Sequence, residues 1–265
     1  MTRRFLPVLL AVFTGFAATA AVHAVDISAE SGAQKVALLE LYTSEGCSSC
    51  PPADRFVSKL AAAGYYPERV VPLAFHVTYW DYIGWRDPYA QDAYDTRQYA
   101  VAARQKSRTV YTPQLVLDGR NLRGTGAFAE RLQSLNDQTA AARISVQGST
   151  GESAVALNVD VQVDDPAQRR AADLYVALVE GGLNSQVKAG ENRGRKLQHE
   201  HVVRQLVGPL SLPAGRADSR HAVTVALADA VNRANTSLAV FVQNREDGRV
   251  LQALATAIGG KEVPR

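Results

Sequence analysis

Leu39-Glu40-Leu41-Tyr42-Thr43-Ser44-Glu45-Gly46-Cys47-Ser48-Ser49-Cys50-Pro51-Pro52-Ala53-Asp54 is the stretch on which the reading of this chain turns. The apolar run Val36 to Leu41 has the length of a buried strand. Pro51 to Ala63 reads as a helix, with Phe56, Val57 and Leu60 on one face and Gly64 at its end. Between strand and helix stand the only two cysteines of the 265 residues, three positions apart. A bridge between them closes a four-residue loop, worth about 2 kcal/mol in the chain-entropy model against ~3 kcal/mol for a 15-residue loop. Reactivity explains such a pair better than stability does.

Outward from this motif the chain keeps alternating short apolar runs with helical stretches. Val70 to Phe75 reads as a second strand, Gln91 to Lys106 as a helix, Gln114 to Leu117 as a third strand ending in the turn Asp118-Gly119, and Gly126 to Ala142 as a closing helix. From Ile144 the period becomes two: Val155, Leu157, Val159, Val161 and Val163 alternate with polar or small residues. Further strands are expected at Leu174 to Val179, His201 to Val207, Ala222 to Leu227, Leu238 to Gln243 and Val250 to Leu254, with Asp247-Gly248 turning a terminal hairpin. The expected architecture is an α/β thioredoxin-like domain at 35–143 followed by an all-β sandwich-like domain at 144–260. A short extension, 25–34, precedes them. The second domain, whose alternating valines and leucines include no cysteine, is expected to fold by itself.

Residues 1–24 read as a secretory signal peptide: Arg3-Arg4, the apolar stretch Phe5 to Ala21, then Val22-His23-Ala24. The strongly apolar core, Phe5 to Phe16, is shorter than the ~20 residues of a membrane span. Removal of two arginines leaves 27 basic against 26 acidic residues, a net charge of +1. This balance argues against a nucleic-acid surface. The expected location is periplasmic or secreted, with no membrane span after cleavage.

A strand, Cys-x-x-Cys and a helix, followed downstream by a proline just ahead of another strand, is the order of a thioredoxin-like redox site. The N–H groups and dipole of a helix start favour a thiolate, so Cys47 is expected to be the exposed attacking thiol and Cys50 the resolving one. Thr112-Pro113 occupies the place of a cis proline facing the cysteines. Glu40 has two readings: a buried carboxylate that takes the proton of the resolving thiol, or a solvent-facing side chain. Glu45 opposes thiolate formation by its charge. His76 opens a segment rich in aromatics, Tyr79, Trp80, Tyr82, Trp85 and Tyr89, which forms either a wall beside the motif or ordinary packing. His199 and His201, two apart on a strand, are expected to share a face, by default at a polar surface.

The partners expected of this chemistry are protein or small-molecule thiols and disulfides, with no cofactor. A zinc site is disfavoured, because the chain holds no further cysteine and three of the four remaining histidines lie in the other domain. An alternative is copper handling by Cys47, Cys50 and His76 as a trigonal soft site. Another is a binding module without turnover.

The run Leu39 to Asp54 resembles the signature of a family of secreted bacterial proteins, domain of unknown function 1223. The resemblance extends through Phe75-His76-Val77, Gly84-Trp85, Asp87, Val110-Tyr111-Thr112-Pro113-Gln114, Gly190-Glu191-Asn192 and Val202-Val203-Arg204. It implies a thioredoxin-like fold with an appended β domain, and it supplies neither substrate nor reaction. Gly46, where thioredoxins carry an aromatic residue, and Pro51-Pro52 after the second cysteine depart from the thioredoxin pattern.

Overall fold

The structure is a computed structural model that describes residues 25–259. The expected signal peptide, 1–24, and residue 260 lie outside the described residues. Among the described residues no helix is long and apolar enough to cross a membrane. In chain order the elements are β1 (Val25–Glu30), β2 (Ala37–Thr43), α1 (Pro51–Ser58), β3 (Val70–His76), α2 (Asp92–Arg104), β4 (Gln114–Leu117), β5 (Arg120–Leu122) and α3 (Phe128–Asn136). There follow β6 (Arg143–Thr150), β7 (Ala154–Gln162), α4 (Pro166–Arg170), β8 (Ala172–Glu180), β9 (Leu183–Gln186), β10 (Lys196–His199), β11 (Val202–Ser211), β12 (Asp218–Ala226), β13 (Thr236–Asn244) and β14 (Val250–Ala257).

One eight-stranded sheet, in the order β14-β13-β8-β11-β3-β2-β4-β5, forms the spine of the molecule. β2 runs parallel to β3, from Ala37 opposite Val70 to Thr43 opposite His76, and β11 joins β3 in parallel at Val202 and Ala74. Its other pairings are antiparallel. At the β4–β5 hairpin, Asp118 and Gly119 both have positive φ, 51° and 78°, the conformation that makes Asp-Gly a strong hairpin turn. A four-stranded sheet, β1-β6-β7-β12, and a separate hairpin of β9 and β10 complete the strands.

Period-two alternation in the central strands sorts three cores. Ala37, Leu39 and Leu41 of β2 pack with Ala53 and Val57 of α1 and Phe128 and Leu132 of α3. Leu38 and Tyr42 point the other way, with Phe75, toward Tyr94 and Val101 of α2. Because both faces are covered, β2 and β3 are buried throughout, which accounts for their nearly unbroken apolar character. In β8, Leu174, Val176 and Leu178 face the four-stranded sheet, whereas Tyr175, Ala177 and Val179 join the α2 side. Each fully buried Val or Leu contributes roughly 1.5–3 kcal/mol of transfer free energy.

The expected fold class is therefore corrected. The chain is not an α/β thioredoxin-like domain followed by an all-β sandwich: it is a mostly β protein with three sheets. The expected helices and strands of the N-terminal half do form near their anticipated positions. However, β3 is not an edge; β11 pairs with it, and the sheet continues into β8, β13 and β14. β1, from the short N-terminal extension, pairs with β6 from Val25 opposite Thr150 to Glu30 opposite Ser145. Local periodicity specifies which segments are strands but carries no record of which strand satisfies the open edge of another.

Candidate functional site

β2 delivers the chain at Thr43 to a tight loop, Ser44 to Cys50, and α1 starts at once on Pro51. Prolines at the first two helical positions cost no hydrogen bond, because those N–H groups have no partner in the helix. Cys47 and Cys50 form a disulfide, with Cα atoms 5.4 Å apart. The Cys50 carbonyl accepts the N–H groups of Ala53 and Asp54 at 2.9 and 3.2 Å, so the bridge is built onto the first turn of α1. Both cysteines have 0% exposure, and Ser48 and Ser49 form the exposed roof above them. The anticipated exposure of Cys47 is not found, because distant segments cover it.

One cover comes from the loop that joins β9 to β10. Asn192, itself buried, donates from Nδ2 to the carbonyl oxygens of Glu45 and Cys47 at 2.8 and 2.9 Å. The Ser48 N–H donates to Glu191 Oε2 at 2.9 Å, and this contact holds the Glu191 carboxyl below its ordinary range. A second cover is the aromatic segment after β3. Trp80 donates to Thr112 Oγ1 at 2.7 Å and lies against Gly46, where an added Cβ would meet Trp80 Cβ at 3.1 Å and Ile83 Cδ1 at 3.2 Å. Glycine at 46 is thus dictated by close packing. Tyr89 stacks edge-on against His76, Tyr79 bonds Gln98, and Tyr82 is exposed.

Behind the loop lies a buried polar cluster. Glu45 places Oε1 3.0 Å from His199 Nε2 and accepts the Trp85 indole N–H at Oε2, 2.8 Å. Asp87 Oδ2 accepts the Glu45 N–H at 2.8 Å and sits 2.7 Å from His76 Nδ1. The His76 and His199 rings are 4.9 Å apart. Burial alone disfavours charge on His76, but the charge and hydrogen bond of Asp87, with Asp54 and Glu45 nearby, outweigh it and hold His76 above its ordinary value. Burial likewise opposes ionisation of Asp87, yet His76 and the N–H groups of Glu45 and Tyr89 hold it below. His76 Nε2 is buried with no hydrogen-bond partner.

The predicted residues are only partly brought together. Thr112-Pro113 is a cis peptide, and Pro113 lines a groove of about 560 Å³ with Ser49, Pro52, Phe56, Tyr111 and Leu122. Glu40 is fully buried but lies on the opposite face of β2 from α1, where Arg97 Nε reaches it at 2.6 Å and Tyr42 OH at 3.1 Å. Strand alternation thus denies it the place beneath the motif. His76 belongs to the polar cluster through Asp87 rather than to the cysteines. Among the described residues no group of three or more His, Cys, Asp or Glu is arranged to hold a metal. His199 and His201 do not share a face: His201 has φ 58°, breaks the strand, and packs against Tyr66. Both are buried rather than at a polar surface.

Asp54 was the residue without an assigned role. It stands four positions after Cys50, hence on the same side of α1, and its Oδ1 accepts the Thr43 hydroxyl at 2.9 Å. Burial pushes its carboxyl above the ordinary range, against the pull of His199, His76 and the Thr43 hydroxyl. The signal that could have found it was a carboxylate at helical spacing inside an otherwise apolar helix start.

A search among curated proteins finds no match. Two solved structures are similar over 88% of this chain. Protein AGR_C_4864 of Agrobacterium tumefaciens is 25% identical, covered over 99% of its length with a TM-score of 0.65. HBP35 of Porphyromonas gingivalis is 19% identical, covered over 78% with a TM-score of 0.67, a likeness of fold alone. Residues 38–243, which include the disulfide, Pro113 and the covering loop, match the family model described as protein of unknown function DUF1223, and the chain belongs to that family.

Proposed function

We propose that this protein exchanges disulfides with thiol partners through Cys47 and Cys50. The observation that carries this reading is the disulfide itself, built on the first turn of α1 with no other cysteine in the chain. A four-residue ring is a weak staple, whereas a helix start stabilises the thiolate released when the bridge opens. The groove beside Ser49 and Pro113 supplies an apolar wall for a partner.

An incoming thiolate attacks Cys47 Sγ, the Cys47–Cys50 bond breaks, and the electron pair leaves on Cys50. A second thiolate then attacks the external sulfur of the mixed disulfide and releases Cys47, so that two external thiols are oxidised and the protein pair is reduced. The reverse sequence oxidises the protein and reduces a partner disulfide. Because both cysteines are covered, access requires Ser48 to part from Glu191, and the carbonyls of Glu45 and Cys47 from Asn192. The apolar N-terminal stretch favours an exported setting, where disulfides persist.

Treatment with a small dithiol, followed by alkylation and intact-mass measurement, tests this. Two alkylated cysteines are expected, and Cys50→Ser is expected to trap a mixed disulfide on Cys47. A bridge inert to dithiol in the folded protein would overturn the proposal. Protection of both thiols by Cu(I) that His76→Ala abolishes would replace it with copper handling.

A further inference from the structure

We propose that Asp54 carries the proton of Cys50, and that a cavity lined by Asp54, Arg55, Lys196, Leu197, Gln198 and His199 is its port to solvent. This inference rests on the exchange chemistry above. The cavity holds about 320 Å³ and lies where α1 meets β10. The groove beside Pro113 touches α1 through Pro52, Ala53 and Phe56, whereas this cavity touches it through Pro51, Asp54 and Arg55. One helix start is thus flanked by two openings: one beside Pro113, and one onto which Asp54, Arg55, Lys196 and His199 face.

Chemical balance demands such a port. When Cys50 resolves a mixed disulfide, its thiol must lose a proton as its sulfur attacks Cys47 Sγ and the partner leaves as a thiolate. Cys50 has 0% exposure, so bulk water does not reach it directly. Glu40 is on the wrong face and ion-paired with Arg97. Asp54 is on the right side of the helix and oriented by Thr43. It is also 8% exposed and lines the cavity. In the resolving direction Asp54 carboxylate takes the Cys50 proton and later releases it into the cavity. In the opening direction protonated Asp54 returns it to the departing Cys50 thiolate.

The groups that face Asp54 are His199 from β10, His76 from β3, Asp87 from the loop after β3 and Thr43 from β2, with Arg55 and Lys196 on the cavity wall. Burial keeps the Asp54 carboxyl closer to thiol basicity than an exposed aspartate, which eases proton exchange in both directions.

Reduced protein mixed with an aromatic disulfide that releases a coloured thiolate separates the steps in time. The first phase reports attack by Cys47, the second resolution by Cys50. Asp54→Asn is expected to leave the first phase within twofold and slow the second at least tenfold, with loss of its acid-side pH dependence. Thr43→Val, which removes only the orienting hydroxyl, should slow the second phase less and so serves if the first variant folds poorly. In Asp54→Ala, formate entering the cavity should restore the second phase in a saturable way. An unchanged second phase in Asp54→Asn overturns the inference and leaves disulfide exchange standing. Absence of the first phase in the unaltered protein overturns the exchange reading itself.

Discussion

The apolar core between β8, β13 and the four-stranded sheet is wholly aliphatic, whereas beyond the ends of β2 and β3 the interior holds Glu45, Asp54, His76, Asp87 and His199. Both regions lie along the same eight-stranded sheet. An aliphatic core closes by area alone and asks nothing of direction. The polar cluster needs each donor matched to an acceptor, and burying it costs several kcal/mol per ion before pairing. A fold that accepts this cost directly behind a short-loop disulfide keeps the polar cluster apart from the aliphatic core between its two larger sheets.

The largest effect that tests this division comes from cutting the chain. A fragment of residues 144–259 lacks β1, β2 and β3. Consequently β6 and β11 each lose a neighbour, and Tyr175, Val179 and Phe241 lose the cover of Tyr94 and Val101. The shared sheet reverses the expectation that this half folds by itself: no cooperative melt is expected by circular dichroism, against one transition for the whole chain. A cooperative, strand-rich melt would show that the aliphatic end stands without the polar one.

Arg97→Met is expected to cost about 3–5 kcal/mol by chemical denaturation, because it leaves Glu40 buried and unpaired. Combining it with Glu40→Leu should recover most of that loss. Arg97 also lies over the rings of Phe75, Tyr175 and Phe241, 5.0–5.5 Å from their centroids, so recovery will be incomplete if these contacts matter.

Acid is expected to strain the polar end. Burial lowers His201 to about 4, below its ordinary 6.5. A base whose folded value is depressed contributes stability that is intact above 6.5 and lost as pH falls toward 4, roughly 3 kcal/mol across that window. His76 acts oppositely, since its raised value favours the folded state at low pH. Denaturation at stepped pH should therefore show a decline that His201→Asn flattens. Asparagine tolerates the positive φ at this position. An unchanged decline would place the acid sensitivity elsewhere.

A smaller effect is expected at the covering loop. Asn192→Ala removes two hydrogen bonds to the carbonyls of Glu45 and Cys47 and should cost about 1–3 kcal/mol. The same variant should speed dithiol reduction of the bridge at fixed temperature, because these bonds hold the motif closed. If stability drops while reduction is no faster, the loop braces the fold without gating the disulfide.

Much of the local structure was legible. The apolar run before Cys47, the prolines that open α1, the turn Asp118-Gly119 and the alternating valines of β7 each declare their conformation through side-chain spacing or backbone restriction, and the structure places elements there. The cysteine pair was legible for a similar reason, since three-residue spacing at a helix start has few structural uses. Glu40 shows the limit: its burial was one of two readings, but which face it occupies depends on where α1 and α2 settle. His199 and Asn192 were harder still, because each meets the motif across more than 140 residues.

The amino-acid sequence by itself determined most of the longer strands, the start of α1 and a lone cysteine pair three positions apart, because these depend on near neighbours along the chain. Only the tertiary structure decided that β11 closes the open edge of β3, that both cysteines lie covered, and that Asp54 rather than Glu40 stands on the helix side of the disulfide. Those outcomes come from edge pairing and packing between distant segments, whose energies depend on surfaces that exist only once the chain has folded.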